Sequence, residues 1–309
     1  MDKRALGTTG LDIAPLVLGG NVFGWTIDEK QSFAVLDAFL DQGFNAIDTA
    51  DSYSTWVPGN RGGESETIIG NWLRANPSKR DKVVVFTKVG SEMNPTMTRK
   101  DLSARWIAEE VENSLRRLGV ERIDLYFSHW PDPETPYAET LGAYDRLIKA
   151  GKVRAIGASN FAAERLQAAL DIAKANGLPR YESLQPEYSL AERASYEGTL
   201  QRVCEQNEVG VITFFSLAAG FLTGKYRSEA DYGKSPRGAR SMPKYMNERG
   251  LRILAALDAV AAETGAQPAS IALAWLLAKP TVTAPIASAT RPEHVDTLVA
   301  ATQLTLTSD

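Results

Sequence analysis

The sequence predicts an α/β fold: a closed (β/α)8 barrel, preceded by a short hairpin and carrying an extra helix before its last strand. Three observations point there. Strand-like apolar runs alternate with helix-spaced segments along nearly all of the 309 residues, which implies parallel pairing with helices over the sheet. Eight such units recur, the number that a barrel of about 250 residues plus insertions requires. Finally, Gly19-Gly20-Asn21-Val22-Phe23-Gly24 is not followed by a helix start, whereas an open doubly wound sheet usually carries a Gly-rich phosphate turn after its first strand. One domain over 1–309 is expected.

The elements follow in order. Residues 4 to 13 alternate weakly around Gly7-Thr8-Thr9-Gly10, which suits a short hairpin. Pro15 to Gly20 is a compact apolar run ending in glycines and reads as the first buried strand. Asp28 to Gly43 places Phe33, Leu36, Ala38, Phe39 and Leu40 at helical spacing, with Gly43 as the stop. The pattern then repeats. Strands are predicted at 45–49, 83–88, 123–129, 153–159, 182–185 and 209–215. Their helices fall at 65–75, 99–118, 136–150, 162–175, 196–206 and 248–264, the last after a long irregular stretch. A further helix at 269–278 precedes strand 282–287 and a final helix at 292–301.

Composition narrows the function classes. Hydrophobic residues make up 44% and charged residues 23% of the chain, the balance of a globular protein with a large core. The formal net charge is -4 and no basic block stands out, which argues against a nucleic-acid partner. The single cysteine, Cys204, allows no intrachain disulfide and suggests a reducing compartment. Its helix-like surroundings suit a small buried hydrophobe rather than a nucleophile. Met1-Asp2-Lys3-Arg4 has no long apolar run behind it, so no signal peptide is expected. No stretch reaches the roughly 18 apolar residues of a membrane span. The expected location is the cytoplasm.

A barrel carries its chemistry at the carboxyl ends of its strands. The residues expected there are Asn21, Asp48, Lys88, His129, Ser159 with Asn160, Gln185, the segment Phe214 to Leu217, and Ser288. A lysine that closes an apolar run is costly to bury unless paired. If the second, third and fourth strands are neighbours, Asp48, Lys88 and His129 share one cavity, and the loop after Asp48 can fold Tyr53 over them. An Asp48–Lys88 pair beside Tyr53 is expected to lower its phenol pKa from about 10, and a more acidic phenol serves as a general acid. His129 would hold the same substrate oxygen. The set suits protonation of an oxygen gaining charge, as in carbonyl reduction. No metal site is expected, since the only other histidine, His294, is read as a surface residue of the last helix.

In this order and spacing, the motifs G-F-N-A-I-D-T-A-D-S-Y (43–53), G-G-E-S-E (62–66), F-T-K (86–88), D-L-Y-F-S-H-W (124–130), G-K-V-R-A-I-G-A-S-N (151–160), Q-P-E-Y (185–188) and G-F-L-T-G-K-Y (220–226) resemble the aldo-keto reductase family, from the hairpin to about residue 300. The resemblance implies an NAD(P)H-dependent carbonyl reductase. It makes Tyr53 the proton donor, with Asp48 and Lys88 tuning it and His129 orienting the carbonyl. It places Ser159, Asn160 and Gln185 at the nicotinamide carboxamide and Phe214 where a tyrosine usually stacks on the nicotinamide ring. It makes Phe215, Ser216, Leu217, Ala218, Gly220 and Lys225 part of a loop that wraps the pyrophosphate. Asn21, Asp48, Ala287 and Ser288 complete the expected cofactor set.

The resemblance also has departures. Ser216 stands where proline is common, Ala287 where glycine is common, and Thr297-Leu298 where a Glu-Asn pair usually meets the adenine. Arg240, in the insertion after the seventh strand, is a candidate phosphate contact. Arg291 opens the last helix and suits a 2′-phosphate, since arginine offers a bidentate fork and a helix N-terminus favours an anion. NADPH is therefore expected, with NADH as the alternative. Trp25 and Trp130 are expected to line the pocket of a small carbonyl substrate. Two competing readings are a Schiff-base aldolase using Lys88 and a nucleotide-binding regulatory subunit without turnover. The substrate's identity and the oligomeric state are not legible.

Overall fold

The computed structural model describes residues 1–93 and 99–307. A hairpin of β1 (Arg4–Ala5) and β2 (Asp12–Ile13) opens the chain. Eight parallel strands then close a barrel: β3 (Val17–Gly19), β4 (Ala46–Asp48), β5 (Val84–Val89), β6 (Ile123–Ser128), β7 (Val153–Ser159), β8 (Ser183–Gln185), β9 (Gly210–Thr213) and β10 (Val282–Ala287). They pair in chain order, with β10 returning to β3. The fold is the (β/α)8 barrel that the alternating pattern predicts.

Helices α1 (Glu29–Asp41), α2 (Glu64–Ala75), α3 (Ala104–Leu118), α4 (Tyr137–Lys149), α5 (Ala163–Asn176) and α6 (Thr199–Gln206) follow the first six barrel strands. After β9 come a one-turn α7 (Gly238–Ser241), then α8 (Glu248–Thr264) and α9 (Pro268–Leu277); α10 (Glu293–Gln303) ends the fold. The extra helix predicted before the last strand is α9. Among the described residues no helix is long and apolar enough to cross a membrane.

Local chemistry sets several boundaries. Asp28 caps α1, accepting from the Gln31 amide while the Gln31 side chain returns a bond, a reciprocal capping box. Helix α3 starts five residues after the predicted Arg99, because Ser103 accepts from the Trp106 amide and caps it there. Gly119 ends it in the left-handed conformation (φ 65°). Gly70 lets α2 and α3 touch, since a Cβ there would lie 2.0 Å from the Arg117 carbonyl oxygen. The predicted helix 196–206 begins only at Thr199, after Gly198 (φ 92°).

Two cores matter for the site. Outside the barrel, strand and helix side chains such as Ile47, Val85, Tyr126, Trp72 and Val111 pack together. Inside it, Val17, Ala46, Phe86, Leu125, Phe127, Ile212, Ala284 and Ile286 fill the lumen, and Leu6, Leu11 and Ile13 of the hairpin join them. Side chains alternate in and out along a strand. The inward series therefore continues from Ala46 to Asp48, from Phe86 to Lys88, from Phe127 to His129, from Ser183 to Gln185, and from Ile286 to Ser288. The candidate site is the next layer of the same lumen, where apolar residues give way to polar ones.

Candidate active site

Neighbouring strands β4 and β5 bring Asp48 and Lys88 together, and β6 adds His129. The Lys88 side chain is fully buried. Its Nζ lies 2.7 Å from each Asp48 carboxylate oxygen, 2.9 Å from the Thr49 carbonyl oxygen and 2.8 Å from Tyr53 Oη. Tyr53 Oη donates to Asp48 Oδ2 at 3.1 Å. The His129 ring meets the Tyr53 ring edge-on, with centroids 6.0 Å apart. The four predicted residues thus cluster at one end of the lumen. Ser91 joins them as a residue the sequence did not single out: its Oγ lies 3.3 Å from His129 Nδ1. Only tertiary contact gives it significance.

The electrostatics correct one expectation. Burial first, and then Asp48, push the Tyr53 phenol well above its usual 10 rather than below it. A lone ammonium would favour phenolate, but this ammonium is already shared with a carboxylate that disfavours it. Burial lowers Lys88 while Asp48 opposes that shift. Burial and the neighbouring Lys88 push His129 well below its usual 6.5, so its imidazole is neutral. Tyr53 keeps its proton, and His129 has one ring N–H to offer.

The residues expected near a cofactor line the adjoining rim. Gln185 Nε2 donates to Asp48 Oδ1 at 2.9 Å. Asn160 Nδ2 donates to the His129 carbonyl at 2.9 Å and to Ser159 Oγ at 3.1 Å, and Ser159 Oγ donates to the Gln185 carbonyl. These bonds tie the segment Ser159–Gln185 to the catalytic-type cluster. Phe214 is half-buried and Phe215 is 43% exposed, their rings 5.3 Å apart. Ser288 Oγ donates to Asn21 Oδ1 at 2.7 Å, joining the first and last barrel loops, and Ala287 is buried beneath them. The Ser216 hydroxyl turns inward and donates to the Thr213 carbonyl.

Backbone strain concentrates here. Among the described residues, the non-glycine residues with left-handed φ include Ser54, Asn160, Phe215, Ala218 and Ala219, all on rim loops. Such strain persists only where surroundings enforce it, and it clusters at ligand sites.

The remaining positions divide between core, surface and rim. Leu298, which stands where the family usually has an adenine contact, is buried in the outer core, consistent with that departure. Arg240 is exposed. From the same insertion, Arg237 reaches the pocket instead: its guanidinium carbon lies 5.0 Å from the Trp25 ring centroid, and its charge acts on Tyr53. Trp25 stands edge-on to Trp56 at 5.5 Å, and Trp130 stacks beside His129 at 6.1 Å. His294, read as a surface residue, is half-buried; burial and the nearby charges of Arg291 and Lys225 lower its pKa. Among the described residues no histidine, cysteine and carboxylate cluster could hold a metal ion.

The fold and site together are those of a parallel barrel with a Tyr-Lys-Asp-His cluster at its carboxyl rim. The Aldo/keto reductase family pattern matches residues 15–309, and the chain belongs to that family. It is 33% identical over 319 residues to aldo-keto reductase YhdN of Bacillus subtilis (strain 168), covering 100% of this chain and 91% of that protein. It is 31% identical over 305 residues to L-glyceraldehyde 3-phosphate reductase of Escherichia coli (strain K12), covering 96% and 86%. An uncharacterized 11.2 kDa protein from Pseudescherichia vulneris is 67% identical over 93 residues, covering 30% of this chain and 90% of the relative. Membership makes the protein an oxidoreductase of carbonyl groups; the family generally uses nicotinamide cofactors.

Proposed function

We propose that the protein is an NADPH-dependent reductase of aldehydes and ketones in which Tyr53 supplies the proton. The single observation that carries this is the Tyr53 hydroxyl, held 2.8 Å from Lys88 Nζ and 3.1 Å from Asp48 Oδ2 beside a neutral His129. A dihydronicotinamide supplies hydride to the carbonyl carbon when bound. As negative charge grows on the carbonyl oxygen, Tyr53 transfers its proton there. The phenolate left behind accepts a hydrogen bond from Lys88, which offsets its burial. His129 donates to the same oxygen and fixes its position, the preorganised kind of stabilisation that needs no rearrangement during reaction.

The rim residues suit a dinucleotide. Phe214 and Phe215 offer apolar ring faces at its open edge. Ser159, Asn160 and Gln185 carry amide and hydroxyl groups next to the Asp48–Lys88 pair, where a carboxamide would sit. The strained turn at Phe215 to Ala219 would present backbone amides to a pyrophosphate. Arg291 and Lys225 lie close enough to His294 for their charges to lower its pKa, and two such cations near one another suit a 2′-phosphate, although Glu293 already stands 3.9 Å from Arg291. Lys88 is hemmed in by Asp48, Thr49 and Tyr53, which argues against its use as a Schiff-base nucleophile.

Tyr53→Phe tests the assignment. It should abolish carbonyl-dependent oxidation of NADPH while the fluorescence-measured Kd for NADPH stays within about 3-fold, because the two hydrogen bonds the hydroxyl loses run to Lys88 and Asp48 within the protein. Parent-like turnover in that variant would refute the role of Tyr53.

A further inference from the structure

We propose that Arg237 sets substrate specificity, and that the substrate carries an anionic oxyacid group, a carboxylate or a phosphate, beside its reducible carbonyl. This rests on the reading of Tyr53 above. Arg237 stands at the start of α7, its backbone amide anchored to Ser235 Oγ. Its guanidinium lies against Trp25 at 5.0 Å. Trp25 abuts Trp56, and the Trp56 ring is 6.2 Å from that of Tyr53. The cation therefore sits on the Trp25 and Tyr53 side of the rim.

Its charge is uncompensated. Among the described residues no carboxylate lies within ion-pair distance of Arg237, unlike Arg117, Arg193, Arg227 and Arg252, which all have carboxylate partners. Nη2 is buried with no hydrogen-bond partner. Burying a charged donor without a partner is costly, and a guanidinium offers its N–H donors in a rigid fork that matches an oxyanion. A carboxylate or phosphate there would take the free donors as a bidentate pair. An anion held by Arg237 would also fix the distance from that end of the substrate to the carbonyl under Tyr53.

The test uses matched aldehydes: 4-carboxybenzaldehyde and 4-formylphenyl phosphate, each against neutral 4-formylbenzamide. The parent should prefer one or both anions by roughly 10- to 100-fold in kcat/KM, the range of a hydrogen bond to a charged group. Arg237→Gln should collapse that ratio, and Arg237→Lys should restore part of it. Which anion shows the larger ratio separates carboxylate from phosphate. Independently, benzoate should saturably quench tryptophan fluorescence of the parent, through Trp25, and fail to do so in Arg237→Gln. A parent with no preference, or a preference that survives Arg237→Gln while the NADPH Kd rises, would overturn the proposal, the latter by assigning the guanidinium to a cofactor phosphate. If the parent reduced none of the aldehydes, the Tyr53 reading would fail. Benzoate quenching would then decide on Arg237 alone.

Discussion

The Ser91 hydroxyl lies 3.3 Å from His129 Nδ1. A hydroxyl donating to Nδ1 leaves the imidazole proton on Nε2, the nitrogen free to meet a substrate oxygen. Ser91→Ala should therefore lower kcat/KM for aldehydes roughly 3- to 10-fold, the worth of one neutral hydrogen bond. Ser91→Thr should recover most of the loss. An alanine variant with parent kinetics would show that the Asn160 bond to the His129 backbone orients the ring unaided.

The pH profile should be flat across the neutral range. Tyr53 is raised well above 10 by burial and Asp48, so it loses its proton only at strongly alkaline pH. His129 is lowered well below 6.5 by burial and Lys88, so it gains charge only under acid conditions. Reductive kcat/KM should hold steady from about pH 6.5 to about pH 9.5, between the ordinary values of the two groups. An inflection near neutrality that Tyr53→Phe or His129→Gln abolishes would contradict this. The reverse oxidation, which needs phenolate as base, should instead rise with pH.

Lys88 and Asp48 are a buried pair, and removing one leaves the other uncompensated. Lys88→Met should cost roughly 3–5 kcal/mol of stability, the usual penalty for an unpaired buried charge. Asp48→Asn combined with Lys88→Met should regain much of that stability, because no ion then remains. Turnover should stay lost in both variants. Denaturant melts with matched assays read both effects, and a double variant no more stable than the single would argue against a simple charge penalty.

Asp51 is buried, and neither carboxylate oxygen has a partner. Burial, then Glu110 and Glu66, hold its pKa well above the ordinary 3.8. The folded chain thus binds a proton more tightly than the unfolded chain. The stability contribution is fully present below about pH 4 and declines as pH climbs toward the folded value. Asp51→Asn removes this dependence, so its Tm advantage over the parent should grow between about pH 4 and about pH 8. A difference that does not vary with pH would contradict the shift.

Much of this was legible in the residues. The inward positions Val84 and Phe86, and likewise Leu125 and Phe127, are apolar until the next inward position, where Lys88 or His129 appears. That interruption of an apolar lumen marks a rim residue before any coordinates exist, and chain order made Asp48, Lys88 and His129 neighbours. Helix ends were less legible. A capping serine competes with helical periodicity over one turn, so α3 begins at Ala104 and not at Arg99.

By itself the sequence determined the barrel, the order of its strands and which side chains share the lumen, because strand periodicity is local and parallel pairing follows from alternation. Only the tertiary structure decided that Arg237 rather than Arg240 lies against Trp25, that Leu298 is core, that Ser91 backs His129, and that Tyr53 is a weaker acid than its neighbours suggested. Those facts depend on how an irregular insertion folds back over the rim and on how completely each group leaves water. Both are sums over residues distant in the chain, which no local pattern records.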